Sequence, residues 1–269
     1  MSTLLFYFQD PGGTNFLLPT IKYIKNRVFG NIEIKVICHP LSKFLLSDQF
    51  IESDYIIPDK FPITESDWES LLQVNNISYM VTTLSSNKLD LSNSNLINVA
   101  KKINIPTLGF MDHWKGFDRL FNDRSEPIYC PDWLGVIDES CADELRNIKI
   151  TSYIKSVGHP FLESLINNKV STLKNNRVLF VSQPEVSKNS FNSLFLTKFK
   201  QSNLLKILEC IVRNILPDSQ VYYRPHPKET LNMDINSSIT IDNSSKPELF
   251  SNFDTFIGFN SMLLLEARV

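Results

Sequence analysis

The residues whose types could do chemistry sit in short stretches, each directly behind an apolar run. Behind Val221, Tyr222 and Tyr223 comes Arg224-Pro225-His226-Pro227-Lys228, a guanidinium, an imidazole and an ammonium on one loop. Donors of this kind suit a nucleotide monophosphate or diphosphate, because charge-assisted hydrogen bonds to phosphate are the strong ones and the prolines stiffen the loop that presents them. Behind Phe256 and Ile257, the stretch Gly258-Phe259-Asn260-Ser261 places Asn260 or Ser261 at the N-cap of a helix whose first N–H groups would also face phosphate.

Two stretches in the first half offer acid and base groups. Gln9-Asp10-Pro11-Gly12-Gly13-Thr14-Asn15 follows the run Leu4 to Phe8. We expect Pro11, Gly12 and Gly13 to form a turn that lets backbone approach a ligand, with Thr14 or Asn15 capping the next helix; the plain alternative is a tight turn with no ligand. Gly109 to Phe117, "GFMDHWKGF", crowds Asp112, His113, Trp114 and Lys115 behind another apolar run. Asp112 or His113 would serve as a general base if the surroundings bring its pKa toward working pH; the alternative is a surface loop around a packed Trp114. In "SVGHPFLE", residues 156 to 163, His159 either caps a turn, the preferred reading, or lines a cleft. There is no G-x-G-x-x-G and no Walker A sequence.

The elements that must position these groups alternate in a clear pattern, short apolar runs with amphipathic segments of helix length, which yields parallel sheets covered by helices. Strands are expected at Leu4 to Phe8, Ile32 to Cys38, Tyr55 to Ile57, Ser78 to Thr82, Thr107 to Met111, Leu134 to Ile137 and Tyr153 to Ser156, with helices at Asn15 to Asn26, Glu65 to Val74, Ser92 to Ile103 and Glu139 to Asn147. "NNKVSTLKNN", residues 167 to 176, is polar and aperiodic and reads as a linker. A second series follows: strands at Arg177 to Ser182, Val221 to Arg224, Ile239 to Asp242 and Thr255 to Gly258, and helices at Leu204 to Ile215, Pro247 to Phe253 and from Ser261 onward. The fold class is α/β, with two Rossmann-like doubly wound domains, residues 1–167 and 176–269. The second is expected to be incomplete, because the helix opened by "SMLLLEA" stops at Val269 without a cap or a return strand.

Composition narrows the function classes. A formal net charge of -2 and a pI near 6.1 argue against a nucleic-acid surface. The N-terminal apolar run lacks a basic leader, and no window approaches the roughly 20 apolar residues of a membrane span. We therefore expect a cytoplasmic protein, with peripheral association at the inner membrane face left open. Cys38, Cys130, Cys141 and Cys210 are scattered without C-x-x-C spacing and read as reduced, buried thiols rather than a zinc site or a disulfide framework.

These motifs resemble those of the GT-B glycosyltransferases. The two-domain plan, the Gly-Gly stretch behind the first strand, the His226-Pro227 dipeptide and the Ser in "GFNSMLLLEA" are most similar to bacterial enzymes of surface polysaccharide assembly, the polysialyltransferase-like and CDP-glycerol glycerophosphotransferase-like groups. The resemblance implies that His226, Pro227 and Ser261 contact the phosphate of a cytidine or uridine nucleotide-sugar. Gly12, Gly13, Thr14, Arg224, Lys228 and Asn260 join them in holding the donor, and Glu266 is the one candidate for the ribose-binding acid that many GT-B enzymes carry on this helix; the alternative is a solvated carboxylate on the helix face. It implies a glycan acceptor, no cofactor beyond the donor substrate and, in the absence of any D-x-D, no metal. The acid-acid-Gly motif that supplies the base in the sialyltransferase-like groups is replaced by "QDPGG", so the base stays open among Asp112, His113 and Asp10. The rival readings are an enzyme of the UDP-N-acetylglucosamine 2-epimerase type and a non-catalytic, truncated nucleotide-sugar-binding protein.

Overall fold

The computed structural model describes residues 2–27, 32–47, 55–85, 89–122, 124–148, 150–166, 175–182, 201–226, 239–258 and 261–268. The chain divides between Ser164 and Leu165 into two compact units.

In the first unit seven strands form one parallel sheet: β1 (Ser2–Phe8), β2 (Ile32–Cys38), β3 (Tyr55–Ile56), β4 (Ile77–Thr83), β5 (Thr107–Phe110), β6 (Trp133–Val136) and β7 (Tyr153–Ser156). Their order is 3-2-1-4-5-6-7, so the chain reverses direction across the sheet between β1 and β4. The described helices of this unit are α1 (Pro11–Arg27), α2 (Lys43–Ser47), α3 (Glu65–Val74), α4 (Ser92–Lys102) and α5 (Glu139–Asn147), and α6 (Pro160–Ile166) runs across its boundary. The strands read as continuous apolar runs because both sheet faces are covered. Phe6, Phe8 and Val36 pack on Phe16, Leu17 and Ile21 of α1, while Leu5, Tyr7, Met80, Leu134 and Val136 pack with Trp68 and Leu72 of α3, Leu96 of α4 and Leu145 of α5. Each such side chain contributes about 1.5–3 kcal/mol on full burial.

The second unit repeats the plan on a smaller scale. β8 (Arg177–Val181), β9 (Gln220–Arg224), β10 (Thr240–Ile241) and β11 (Thr255–Ile257) form a parallel sheet in the order 10-9-8-11. Helix α7 (Gln201–Ile215) covers one face, where Leu205 and Val212 meet Phe180, Tyr223, Val178 and Val221. Helices α8 (Lys246–Asn252) and α9 (Met262–Arg268) cover the other, where Leu249, Leu263 and Leu264 meet Leu179 and Val181. Among the described residues no helix is long and apolar enough to cross a membrane.

One local expectation fails. Helix α1 starts at Pro11, not at Asn15, and Gly12 and Gly13 lie inside its first turn; among the described residues the glycines with positive φ are Gly116 and Gly158. Pro11 is suited to the first helical position, where its missing N–H costs nothing. The glycines serve close approach: a Cβ on Gly13 would lie 1.9 Å from Thr83 Oγ1, and one on Gly12 would lie 3.0 Å from Asp112 Oδ2. Cys210 also departs from expectation, being exposed while the other three cysteines are buried.

Gly109 packs strand β5 against a rigid ring, since a Cβ there would stand 2.6 Å from Pro131 Cγ. Gly109→Ala is expected to destabilise the protein by about 1–3 kcal/mol, read as a lowered urea midpoint at unchanged slope. An unshifted midpoint would show that the contact between β5 and Pro131 yields freely.

Candidate functional site

In the first unit the chemistry-bearing residues gather at the carboxyl ends of the strands, where open α/β sheets bind ligands. Gln9, immediately behind β1, is 1% exposed and clamped at both ends of its amide. Its Nε2 donates to the Asp90 carbonyl at 2.9 Å, and its Oε1 accepts from the Asn93 N–H at 2.8 Å. Asn93 in turn donates to Thr82 Oγ1 and to the Thr83 carbonyl at the end of β4. The carboxylate of Asp90 accepts from the Ser92 N–H and hydroxyl on one oxygen and from His39 Nε2, at 3.0 Å, on the other. None of Gln9, His39, Asp90 or Asn93 was singled out from sequence; the one local signal is Asp90 two residues ahead of Ser92, the spacing of a turn that starts a helix.

Asp10 follows Gln9 and precedes the 17-residue helix α1. Its carbonyl accepts from both the N–H and the hydroxyl of Thr14, which therefore lies within the helix and is not its cap. Among the described residues no donor reaches the Asp10 carboxylate, and none of their acceptors takes the N–H groups of Gly12 and Gly13.

Asp112 and His113 sit just behind β5, and neither is an uncommitted base. Asp112 Oδ1 accepts from Arg119 Nη1 at 2.5 Å, the two side chains being 15% and 13% exposed, and the same Nη1 donates to the Leu84 carbonyl at 2.9 Å. The left-handed Gly116 lets the 3₁₀ turn Phe117–Leu120 bring Arg119 back onto Asp112, because a Cβ at Gly116 would stand 3.0 Å from Arg119 Nε. His113 Nδ1 accepts the Lys115 N–H at 3.1 Å, so its proton sits on Nε2 and the ring acts as a donor in this geometry.

His159 does both things weighed for it. Its Nδ1 accepts the Leu162 N–H at 3.3 Å as the cap of α6, while its ring is packed edge-on against Phe16 at 4.8 Å and stacks on Trp114 at 6.4 Å. Burial pushes its pKa below the usual histidine value, against an opposing pull from the Asp112 carboxylate. Trp114 is packed, its indole N–H donating to Asp138 Oδ2 at 2.6 Å. Asp138 is held below the usual carboxylate range first by the Cys141 N–H it caps and then by that indole.

In the second unit the loop behind β9 is only partly as expected. Arg224 is not a free phosphate donor: its Nη1 donates to Asp242 Oδ2 at 2.5 Å and to the Ser244 carbonyl at 2.9 Å, because the end of β10 brings a buried carboxylate alongside it. His226 lies two residues past β9 and is half-buried. Pro227, Lys228 and Asn260 lie outside the described residues. Ser261 precedes α9, and its hydroxyl accepts the Leu263 N–H at 3.3 Å, leaving its own proton to donate. Glu266 on α9 is 8% exposed and its pKa is raised by burial against the pull of Lys246. Lys246 Nζ stands 2.9 Å from Oε1 and 2.7 Å from Oε2, but only the first contact has hydrogen-bond geometry, which leaves Oε2 a buried acceptor. Among the described residues no cluster of three or more His, Cys, Asp or Glu side chains is placed to hold a metal ion.

No protein-family model matches the sequence, and no curated protein matches it. In three dimensions the chain is similar to the S. aureus MnaA protein solved with UDP, at 10% identity and a TM-score of 0.68, over 96% of this chain and 74% of that one. It is similar to a UDP-N-acetylglucosamine 2-epimerase at 10% identity and a TM-score of 0.65, over 96% and 74% of the two chains. It is also similar to the glycosyltransferase SnogD from Streptomyces nogalater at 9% identity and a TM-score of 0.50, over 99% and 79%. At such identities the likeness is one of fold, two Rossmann-like units of the GT-B class.

Two outcomes follow from the geometry. Asp112→Ala leaves Arg119 charged and buried without its carboxylate, and is expected to cost about 3–5 kcal/mol of unfolding free energy; a loss below 1 kcal/mol by about the same principle would mean the pair opens to water. His159 has a folded pKa below its unfolded value of 6.5, so the unfolded state binds more protons below that pH. Its contribution is complete above about pH 6.5 and is lost as pH falls through the folded value. Melting curves from pH 8 to 5 should show a steeper loss for the wild type than for His159→Asn, by about the single proton this linkage supplies.

Proposed function

We propose that this protein is a nucleotide-sugar-dependent glycosyltransferase of the kind that assembles bacterial surface polysaccharide in the cytoplasm, the second unit holding the nucleotide and the first the acceptor. The observation that carries this reading is Glu266. It is a carboxylate buried on the helix behind β11, with Lys246 Nζ close to both oxygens but in hydrogen-bond geometry only with Oε1, so that Oε2 is a buried acceptor without a hydrogen bond. An acceptor of that kind, five residues beyond a Ser261 hydroxyl that can donate, fits a nucleoside's ribose hydroxyls beside its phosphate. The fold likeness to a UDP-containing structure supports the same class of ligand by analogy.

Asp10 is the general base in this scheme. Of the three candidates, Asp112 is bound to Arg119 and His113 is a donor, whereas the Asp10 carboxylate meets no donor among the described residues. Asp10 takes the proton of the acceptor hydroxyl as that oxygen bonds to the anomeric carbon and the bond to the nucleotide phosphate breaks. The charge on the departing phosphate is met by His226, the Ser261 hydroxyl and Lys228, an electrostatic contribution of the sort that dominates such transfers. Gly12 and Gly13 offer unused N–H groups at the positive end of α1 to an anionic group of donor or acceptor. Arg224 acts at one remove, holding the ends of β9 and β10 together.

The similarity to a UDP-N-acetylglucosamine 2-epimerase favours a second reading, interconversion of a sugar nucleotide without an acceptor. Thermal shift with CMP, CDP, UDP, GDP and ADP tests both. One pyrimidine nucleotide at 100 times its dissociation constant should stabilise the wild type by about 2.7 kcal/mol, His226→Ala should lose that gain, and Asp10→Asn should keep it while losing roughly 10²–10⁴-fold in transfer. Isomerised sugar nucleotide formed without an acceptor would select the epimerase; a cooperative melt that no nucleotide shifts would defeat both enzymes.

A further inference from the structure

The turn from β1 into α1 is fastened to segments far along the chain. Three successive main-chain carbonyls are taken: Phe8 accepts the His39 N–H at 2.7 Å, Gln9 the Ser42 hydroxyl at 3.2 Å and Asp10 the Thr14 N–H at 2.9 Å. The Gln9 side chain is fixed as well, since its Oε1 accepts the Tyr7 hydroxyl at 3.4 Å besides the Asn93 N–H. The backbone is thus held on both sides of Asp10, while the Asp10 carboxylate meets no donor among the described residues.

Behind this turn lies a His–Asp pair that the transfer scheme does not use. His39 Nε2 stands 3.0 Å from Asp90 Oδ2, each side chain being 11% exposed, and the His39 ring packs edge-on against Phe61 at 4.2 Å. His39 Nδ1 accepts the Leu41 N–H at 3.1 Å, which seats the 3₁₀ turn Pro40–Ser42 that carries Ser42. The Asp90 carbonyl takes the Gln9 amide. The pair therefore reaches Gln9 by two routes, through Ser42 to its carbonyl and through Asp90 to its side chain.

Stability alone does not account for polar groups at this place, because apolar side chains of similar volume often stabilise as much as a buried polar pair. Hydrogen bonds add direction. A reacting group misplaced by about 1 Å can lose on the order of 10²-fold in rate, so a carboxylate that must meet a hydroxyl needs a backbone that does not shift.

We propose that His39 and Asp90 are positioning residues that act through Gln9, aiming the Asp10 carboxylate at the acceptor hydroxyl without touching the substrate themselves. The proposal rests on the reading of Asp10 as the general base.

Steady-state release of nucleotide from a panel of CMP-, UDP- and GDP-sugars tests it, with melting curves to show that each variant is folded. His39→Phe keeps a ring against Phe61 and removes the donor; its kcat should fall about 10–100-fold while KM and the melting shift given by the nucleotide stay at wild-type values. His39→Gln, whose amide can still donate to Asp90, should recover most of that loss. Gln9→Met, of similar volume and leaving no charge unpaired, should lower kcat alone in the same way, and it carries the test if His39→Phe does not fold. A lowered melting temperature with wild-type kcat in both folded variants marks a purely structural role and overturns the proposal. So does a loss that KM and the nucleotide shift share, or a His39→Gln variant as slow as His39→Phe. A wild type no faster than Asp10→Asn defeats the reading of Asp10 itself, and this proposal with it.

Discussion

Asp90 is a carboxylate only 9% exposed, and a buried charge is tolerable only when its oxygens are hydrogen-bonded. The donors that satisfy it set the geometry of the first unit's strand ends. Ser92 gives its N–H and hydroxyl to one oxygen and His39 its Nε2–H to the other, while the Asp90 carbonyl takes the Gln9 amide. Ser92 is itself pinned, its hydroxyl accepting the Ile63 N–H and its carbonyl the Trp68 indole. The ends of β1 and β2 and the starts of α3 and α4 are thus tied to one anion, and through Asn93 so is the end of β4. The tie lies at the point where strand order reverses, and the residue it fixes, Gln9, is the one that hands the chain to Asp10 and α1.

The same bonding decides which groups remain available for chemistry. Three histidines, His39, His113 and His159, each use Nδ1 to accept a main-chain N–H two or three residues ahead. Each is thereby held in the tautomer that carries its proton on Nε2, and each becomes a donor. A reaction that needs a base at these strand ends must turn to a carboxylate, and Asp112 and Asp138 are already engaged by Arg119 and by Trp114 with the α5 N-terminus. Availability, more than proximity to a sheet edge, separates Asp10 from its neighbours.

Much of this architecture was legible in the sequence, because alternating apolar runs and amphipathic segments record burial on two sheet faces. Helix α3 falls at Glu65–Val74 and β2 at Ile32–Cys38, as their patterns indicate, with a Thr64–Asp67 capping box marking the start of α3. What was not legible depends on partners far along the chain. The reading of Gly12 and Gly13 as a turn missed that glycine also serves close packing, here against Thr83 at the end of β4 and Asp112 just behind β5. Arg224 looked like a free cation because its carboxylate comes from Asp242, a strand away, and Asp112 looked like a base because Arg119 reaches it only through the turn at Gly116. Local pattern reports which face is buried; it does not report which charge is already paired.

That distinction bears on how the second unit can hold an anion. Arg224 and Lys246 are its described cations nearest the strand ends, and both stand against acids, Asp242 and Glu266, that are 8% exposed. A phosphate competing for either cation would leave a buried carboxylate unpaired, which costs more than the new contact returns. The balance favours recognition by neutral donors and by loop groups, with the ion pairs serving as rigid posts. Glu266 fits that division: burial raises its pKa, and Lys246 against it keeps its charge tolerable. A nucleoside presents hydroxyls and phosphate side by side; in the proposed scheme Glu266 would meet the first, and the second would fall to donors outside these two ion pairs.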